Sequence, residues 1–132
     1  MNPPIGMPSI SPVLIYTDLG EAAGWLCAAF GFEERLSDRV TDDHGVVHHA
    51  ELELGNGLII LSRAYDDFTA PGADAAHHQL SYIFVDDAAA HHDRSKASGA
   101  VITSPLRDAD YGARVYGCRD PFGHHWIFAQ QF

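Results

Sequence analysis

The order of hydrophobic and polar positions predicts a short strand and then a helix at the start of the chain. Residues 10–17 are rich in β-branched and aromatic side chains, which favours a strand, and Pro12 places the strand start or a sheet edge nearby. The spacing from Asp18 to Glu21 is that of a capping box, and apolar residues then recur at helical intervals. Gly31 follows as a left-handed C-cap that ends the predicted helix.

The pattern after this helix predicts three strands. A polar strand is expected at about 33–40, and a turn at 42–45. Alternating apolar and charged residues at 50–54 predict a half-buried strand, and the sequence Gly-Asn-Gly at 55–57 predicts a tight hairpin into a last strand at 58–62. The first unit therefore has the order β-α-β-β-β.

The same order recurs in the second half of the chain. Sliding the sequence by 68 residues without a gap lays residues 9–63 on residues 77–131, with Gly31 on Gly99. Such self-similarity indicates two copies of one supersecondary unit. The elements predicted for the second copy are a strand at 80–85, a helix from Asp86 or Asp87 to Gly99, a strand at 101–103, a loop at 105–112, a strand at 113–118, a turn at 120–123 and a strand at 124–129.

Chain length predicts how the copies are organised. A chain of 132 residues has the size of one compact domain, so we expect a single α+β domain over residues 1–132. It comprises module one at about 9–63, a linker at 64–76 and module two at about 77–131. Each tandem βαβββ module presents one apolar sheet face, and we expect the two to form a curved mixed sheet around a cleft.

Composition narrows the function classes. Hydrophobic residues make up 46% and charged residues 20%, and no apolar run approaches the length of about 20 residues that a membrane span needs. The net charge of −10 with neutral histidines argues against nucleic-acid binding and suits cationic ligands. Because no secretory signal is visible and two cysteines cannot form a disulfide framework, we expect a cytoplasmic protein in which Cys27 and Cys118 are buried and inert.

Three short motifs stand at fixed places in the predicted units: Phe30-Gly31-Phe32 after the first helix, Val85-Asp86-Asp87 before the second, and Tyr111-Gly112-x-Arg114 followed by Asp120-Pro121-Phe122-Gly123-His124-x-Trp126. Together with the paired βαβββ units, these motifs resemble the vicinal oxygen chelate superfamily, which contains glyoxalases, bleomycin-resistance proteins and extradiol dioxygenases. The PhnB-like branch is the most similar. The resemblance implies the fold, whereas this scaffold hosts many functions.

The resemblance also implies where a metal would bind. In metal-dependent members the ligands come from the first and last strand of each unit. The corresponding positions here are Pro12, Ile59, Leu80 and Ile127. None of these side chains can bind a metal, so we expect no metal, no other cofactor and no catalytic residue. The alternative is a metal-dependent lyase, isomerase or dioxygenase in which a shifted register brings in His77, His78 or His125.

Other polar residues give weaker signals. Eight of the nine histidines form adjacent pairs, and neighbouring side chains diverge on a strand or a helix, so no pair can chelate one ion. Glu51 and Glu53 share a strand face with His49. This stripe is compatible with a general base and its orienting carboxylate, and is more typical of the solvated face of a half-buried strand.

Alternation from the implied ligand positions predicts an apolar and aromatic ligand site with polar groups at its mouth. The predicted ligand-binding residues are Leu14, Tyr16, Ile59, Leu61, Tyr82, Phe84, Tyr111, Arg114, Tyr116, His125 and Ile127. Trp126 points to the other side, where a core position is expected.

The function expected from these residues is metal-free binding of a small organic molecule, such as an antibiotic or aromatic metabolite, by a homodimer. Flat neutral or cationic ligands are favoured by the aromatic residues and the net charge. Arg114 is the exception, because a guanidinium can grip an anion in a bidentate manner.

Overall fold

A computed structural model describes residues 3–72 and 77–132. The chain divides into two compact units, Met1–Ala70 and Pro71–Phe132. Each contains one helix and its own mixed sheet, which confirms the tandem α+β architecture. The predicted linker at 64–76 lies partly outside the described residues. The single-domain arrangement and the cleft stay predictions.

Unit 1 forms a five-stranded sheet in the order β1-β5-β4-β2, with β3 also paired to β4. Strands β1 and β5 are parallel and the other pairs are antiparallel. The elements are β1 (Val13–Ile15), α1 (Leu19–Phe30), β2 (Glu33–Glu34), a 3-10 turn (Leu36–Asp38), β3 (Val40–Thr41), β4 (Val47–Leu54) and β5 (Gly57–Ser62).

The ends of α1 follow from local sequence. The Asp18 carboxylate accepts the N–H of Glu21 at 3.0 Å, and Gly31 adopts φ 86° while its N–H donates to the carbonyl of Cys27 at 3.1 Å. Both caps satisfy backbone groups that a helix end leaves without partners. The predicted helix start and stop are confirmed.

The predicted strand at 33–40 is wrong in its length. After Glu34 the chain leaves the sheet into the 3-10 turn, and the Arg39 guanidinium turns back to the Glu34 carboxylate with contacts of 2.6 and 2.7 Å. This two-pronged ion pair holds the polar segment in place of a continuous ladder. The first strand is also shorter than the predicted 10–17.

Unit 2 forms a four-stranded sheet in the order β6-β9-β8-β7, in which β6 and β9 are parallel. The elements are β6 (Ser81–Phe84), α2 (Ala88–Ala97), β7 (Val101–Ala109), β8 (Ala113–Arg119) and β9 (His125–Gln131). Asp87 is the N-cap of α2, since its carboxylate accepts the N–H of Ala90 at 3.0 Å. No helix in residues 3–72 and 77–132 is long and apolar enough to cross a membrane.

Strand β7 corrects the predicted loop at 105–112. The strand continues past Pro105 to Ala109, with register shifts between Ile102 and Ser104 and between Ser104 and Arg107. Proline cannot donate to a ladder, and such shifts let an edge strand accommodate it.

The two units are related by a changing offset. The N-cap residues Asp18 and Asp87 are 69 positions apart. The last strands have a different offset. The Tyr16 N–H donates to the Ser62 carbonyl in unit 1, and the equivalent bond in unit 2 runs from the Val85 N–H to the Ala129 carbonyl. Ser62 therefore corresponds to Ala129, which lies 67 positions later. The ungapped shift of 68 is therefore one residue off at both ends. A slip of one residue moves a strand side chain to the other face of its sheet.

In unit 1, α1 packs against β4 and β5. Ala50 and Leu52 pair with Leu61 and Ile59, and all four are buried on the face that α1 covers. Glu51 and its neighbours of the same parity point to the opposite side. The covered face forms the apolar core of the unit.

Candidate ligand-binding face

Of the four predicted ligand-binding residues of unit 1, Tyr16, Ile59 and Leu61 are buried in its core and Leu14 is half-buried. Leu14 pairs with Leu61, and Leu61 shares the helix-covered face with Ile59. Tyr16 is only 1% exposed. This corrects the prediction that these residues line a binding surface: the shift of 68 placed them by analogy with the wrong face of unit 2.

The corresponding residues of unit 2 lie on the opposite side of their sheet from α2. Tyr82 pairs with Ile127, and Phe84 pairs with Ala129. His125 lies two positions from Ile127 on the same side. We call this side of the unit 2 sheet the open face.

Three tyrosine and phenylalanine side chains stand together on the open face. Tyr82, Phe84 and Tyr111 are 43%, 60% and 62% exposed. The rings of Tyr82 and Phe84 meet edge to face with centroids 5.5 Å apart, and the Tyr82 and Tyr111 hydroxyls are 3.5 Å apart. That hydroxyl contact raises the pKa of Tyr82, so its phenol stays a neutral hydrogen-bonding group at physiological pH. We call these residues the aromatic cluster.

Small residues form a buried apolar cluster on the same face. Val115 pairs with Ala129, and Ala109 pairs with Ala113. All four are at most 7% exposed. Gly117 follows Val115 on the same face of β8. A Cβ atom at position 117 would lie only 3.2 Å from side-chain atoms of Ser104 and Thr103, so there is little room for a larger residue. The floor of the open face is therefore built from residues with little bulk.

Tyr116 is a core residue, which corrects its place in the predicted site. It lies on the helix side, where its hydroxyl contacts the Ser95 hydroxyl at 2.8 Å and Nδ1 of His91 at 2.5 Å. Its ring stacks on Phe128, and Tyr116 and Ser95 have no solvent exposure. Burial raises the pKa of Tyr116 well above its ordinary value. This polar contact joins α2 to β8.

Arg114 also lies on the helix side, which corrects its predicted role at the site mouth. It pairs with Gln130, whose amide oxygen accepts the first N–H of α2, from Ala88, at 3.0 Å. Its guanidinium contacts the Asp108 carboxylate at 2.7 Å and lies 5.6 Å from the Phe132 ring centroid. Arg114 thus already has an anionic and an aromatic partner away from the open face.

The turn before β9 sets which residues reach the open face. The buried Asp120 carboxylate accepts the N–H groups of Phe122 and His124 at 2.9 and 3.0 Å, and the indole N–H of Trp126 at 3.1 Å. Trp126 is 1% exposed on the helix side, as expected of a core residue. Because Trp126 is fixed there, its neighbours His125 and Ile127 face the other way.

A group of basic side chains lies at the end of the open face. His125 is directly opposite Arg119 in the β8–β9 pair, and the His77 ring lies 4.2 Å from the His125 ring between centroids. Burial lowers the pKa of His125, and the neighbouring His77 and Arg119 side chains lower it further. His77 Nε2 is buried and has no hydrogen-bond partner among the described residues. We call His77, Arg119 and His125 the basic edge.

The uncovered face of unit 1 has a different character. The Glu51 carboxylate lies 2.7 Å from Nε2 of His49 and 4.0 Å from the Arg35 guanidinium. A pocket of about 260 Å³ in unit 1 is lined by Glu33 of β2 and Glu53 of β4, which are directly opposite each other in the antiparallel pair and carry like charges. None of the predicted ligand-binding residues lines this acidic pocket.

The observed registers change one of the positions that correspond to metal ligands in the superfamily. The last strands of the two units are offset by 67 residues, so Ile127 corresponds to Ile60 rather than to Ile59, and an isoleucine side chain has no atom that can bind a metal. Within residues 3–72 and 77–132, no group of three or more His, Cys, Asp and Glu side chains is placed to hold a metal ion.

Arg119 and His77 are absent from the predicted site, although the sequence contains a signal for Arg119. It stands five positions after Arg114 in β8, and an odd spacing along a strand puts the two guanidinium groups on opposite faces. The position of His77 beside His125 depends on the chain path before β6, for which strand alternation gives no signal.

Comparison with known proteins shows the family. The model of the Glyoxalase/Bleomycin resistance protein/Dioxygenase superfamily matches residues 9–128, and the chain belongs to this superfamily. An uncharacterized protein of Mycobacterium bovis is 27% identical over 128 residues, which cover 93% of this chain and 83% of that protein.

Solved structures agree with this assignment. The crystal structure of TioX from Micromonospora sp. ML1 is 35% identical, with a TM-score of 0.74, and the match covers 95% of this chain and 100% of TioX. The fold is also similar to that of TnmS3, an antibiotic binding protein from Streptomyces sp. CB03234, with 15% identity and a TM-score of 0.70 over 96% of this chain and 98% of TnmS3.

Proposed function

We propose that the protein binds a small planar organic molecule, without a metal, on the open face of unit 2. The observation that carries this proposal is the aromatic cluster. Tyr82, Phe84 and Tyr111 keep about half of their surface exposed on the side that α2 leaves uncovered. Contiguous exposed aromatic surface is characteristic of an interaction site, and each stacking contact adds about 0.5–1.5 kcal/mol to a complex.

The chemistry of the neighbouring groups favours binding over catalysis. The raised pKa of Tyr82 keeps its phenol protonated at neutral pH. A protonated phenol is a hydrogen-bond donor rather than a base. The open face therefore offers stacking surface and hydrogen bonds, as a ligand carrier requires.

The superfamily assignment agrees with such a role, because TnmS3, whose name states antibiotic binding, has the same fold. We infer that the ligand of this chain is an antibiotic or an aromatic metabolite held by sequestration. We also infer a homodimer. Light scattering at micromolar concentration should give twice the mass of 14.4 kDa, and a monomer alone would contradict this part.

The test uses protein purified without nickel resin and dialysed against EDTA. The ligand is the neutral planar compound naphthalene-2-sulfonamide, and affinity is measured by calorimetry. We expect Tyr82→Ala to weaken binding about tenfold, since about 1–2 kcal/mol of stacking and burial is lost.

Tyr65→Ala is the matched control. Tyr65 is a half-exposed tyrosine of unit 1 that contacts one phenylalanine ring, with centroids 5.4 Å apart. Its replacement should leave the affinity unchanged. Equal affinities of Tyr82→Ala and wild type would overturn the proposal, and one metal ion per chain by elemental analysis would overturn its metal-free part.

A further inference from the structure

We propose that the basic edge of the open face, His77, Arg119 and His125, binds an anionic substituent of the ligand. The inference rests on the proposed function and narrows it. The ligand class becomes a planar aromatic compound that carries a carboxylate, sulfonate or phosphonate group.

The sheet register places this edge beside the aromatic cluster. Arg119 and His125 form one cross-strand row of the open face, and Ile127 with Tyr82 forms part of the next. Rows two residues apart on one face are separated by about 7 Å. An aromatic ring on the Tyr82 row therefore brings an acidic substituent within reach of the Arg119 row.

The His77 ring supplies a second reason. Its Nε2 atom is buried without a hydrogen-bond partner among the described residues, while the ring packs on His125. A buried polar atom without a partner costs free energy, and an anion beside it would provide the missing acceptor once the nitrogen carries a proton.

Local charge decides ligand preference here. The chain carries a net charge of −10, which predicts attraction of cations at long range. Salt screens exposed charges beyond about 8 Å at physiological ionic strength, whereas a guanidinium in contact with the ligand is screened far less. The basic edge therefore outweighs the net charge for a group that touches it, and the expected preference for cationic ligands is reversed at this place.

Binding of an anion should be coupled to protonation. The charged and titratable groups that act on His125 are Arg119 in β8, His77 before β6, and Asp120 and His124 in the turn. Burial and the positive neighbours hold the pKa of His125 below its usual value, so the imidazole is neutral at pH 7. An anion favours the protonated form, and its affinity should therefore rise as the pH falls from 8 towards 5.5.

The experiment compares naphthalene-2-sulfonate with naphthalene-2-sulfonamide by calorimetry in EDTA. The two compounds have the same rings, and the sulfonate keeps its charge across this pH range. We expect the sulfonate to bind about tenfold more tightly at pH 7, with a larger ratio at pH 5.5. This size corresponds to one charge-assisted hydrogen bond.

Arg119→Gln and His125→Gln should each reduce the ratio of sulfonate affinity to sulfonamide affinity. Arg114→Gln is the matched control, because it removes the same charge from the same strand on the helix side. It should preserve the full preference. Sulfonamide binding also reports that each variant retains a folded open face.

The outcomes separate the two proposals. If both compounds bind wild type equally and Tyr82→Ala weakens both, the anion site is wrong and the aromatic site stands. If the preference survives Arg119→Gln, or disappears in Arg114→Gln, the anion binds elsewhere and the inference is wrong. If neither compound binds, or if Tyr82→Ala changes neither affinity, the proposed function itself fails.

Discussion

Replacing Asp120 tests how unit 2 fixes the open face. One carboxylate oxygen accepts two backbone N–H groups of the turn, at 2.9 and 3.0 Å, and the other accepts the Trp126 indole N–H at 3.1 Å. Asp120→Asn keeps one acceptor oxygen, but its NH2 group is a donor. The amide NH2 group then points either at the two backbone N–H groups or at the indole N–H, and these buried donors lose their acceptor.

The expected loss follows from these contacts. A buried donor without an acceptor costs about 1–3 kcal/mol, and bonds to a charged acceptor lie in the upper part of that range. Asp120→Asn should therefore destabilise the fold by about 2–3 kcal/mol, and Asp120→Ala by about 4 kcal/mol, since three donors lose their acceptor. At this chain length the asparagine variant corresponds to a fall of about 10 °C in Tm.

The Tm and the free energy of unfolding of both variants are measured by thermal and urea unfolding, with far-UV circular dichroism as the signal. Asp108→Asn is the control, because Asp108 is an exposed carboxylate paired with Arg114, and its replacement should leave the stability close to that of wild type. A double-mutant cycle with Trp126→Phe isolates the indole bond. The reasoning is refuted if Asp120→Asn is as stable as wild type, or if the two substitutions are additive.

Three further predictions concern single groups. Tyr116→Phe should cost about 1–2 kcal/mol in urea unfolding because it strips the buried Ser95 hydroxyl of a partner, and much less in a Ser95→Ala background; equal losses in both would contradict this. Burial raises the pKa of Cys118 to about 12, so an aromatic disulfide reagent at pH 8 should label it only on unfolding, and rapid labelling of native protein would be contrary to this. Hydrogen bonds from His48 and two backbone N–H groups lower the pKa of Asp42, so its contribution to stability is complete above about pH 4 and is lost as the pH falls through the folded-state pKa; Asp42→Asn should flatten the acid limb of the stability curve, and parallel limbs would show otherwise.

Helix ends were predictable because their signals are local. Asp18 stands three positions before the N–H that it accepts, and Gly31 adopts the left-handed conformation that a Cβ disfavours. The family also followed from short motifs and from the order of elements. Each of these depends on neighbours in sequence.

The side of the sheet on which each predicted residue lies was not predictable in the same way. The ungapped repeat aligned Leu14 with Tyr82 and Ile59 with Ile127, yet the first member of each pair is on the helix-covered face and the second is on the open face. Face depends on register, and register depends on loop lengths that differ between the units. The residues Tyr82, Phe84, His125 and Ile127 reached the open face because alternation was counted within unit 2.

Motif membership also led to a wrong placement of the charged group. Arg114 belongs to a motif of the family and was expected at the site mouth, whereas Arg119 belongs to none. The structure gives Arg114 the Asp108 carboxylate and places Arg119 opposite His125. The family motif identified β8 as a strand with a basic residue. The alternation of side chains along β8 puts Arg119, and not Arg114, on the face that carries the aromatic cluster.

The changing offset between the units restricts how such a chain can recombine. From the helix N-cap to the last strand, unit 2 is two residues shorter than unit 1, since Asp18 and Ser62 correspond to Asp87 and Ala129. A chimera whose crossover preserves this even difference keeps the core side chains, and those of the opposite face, on their own sides of the sheet. A crossover that adds or removes one residue exchanges them, unless a bulge absorbs the change. Homologous recombination within this fold should therefore yield working hybrids in steps of two residues.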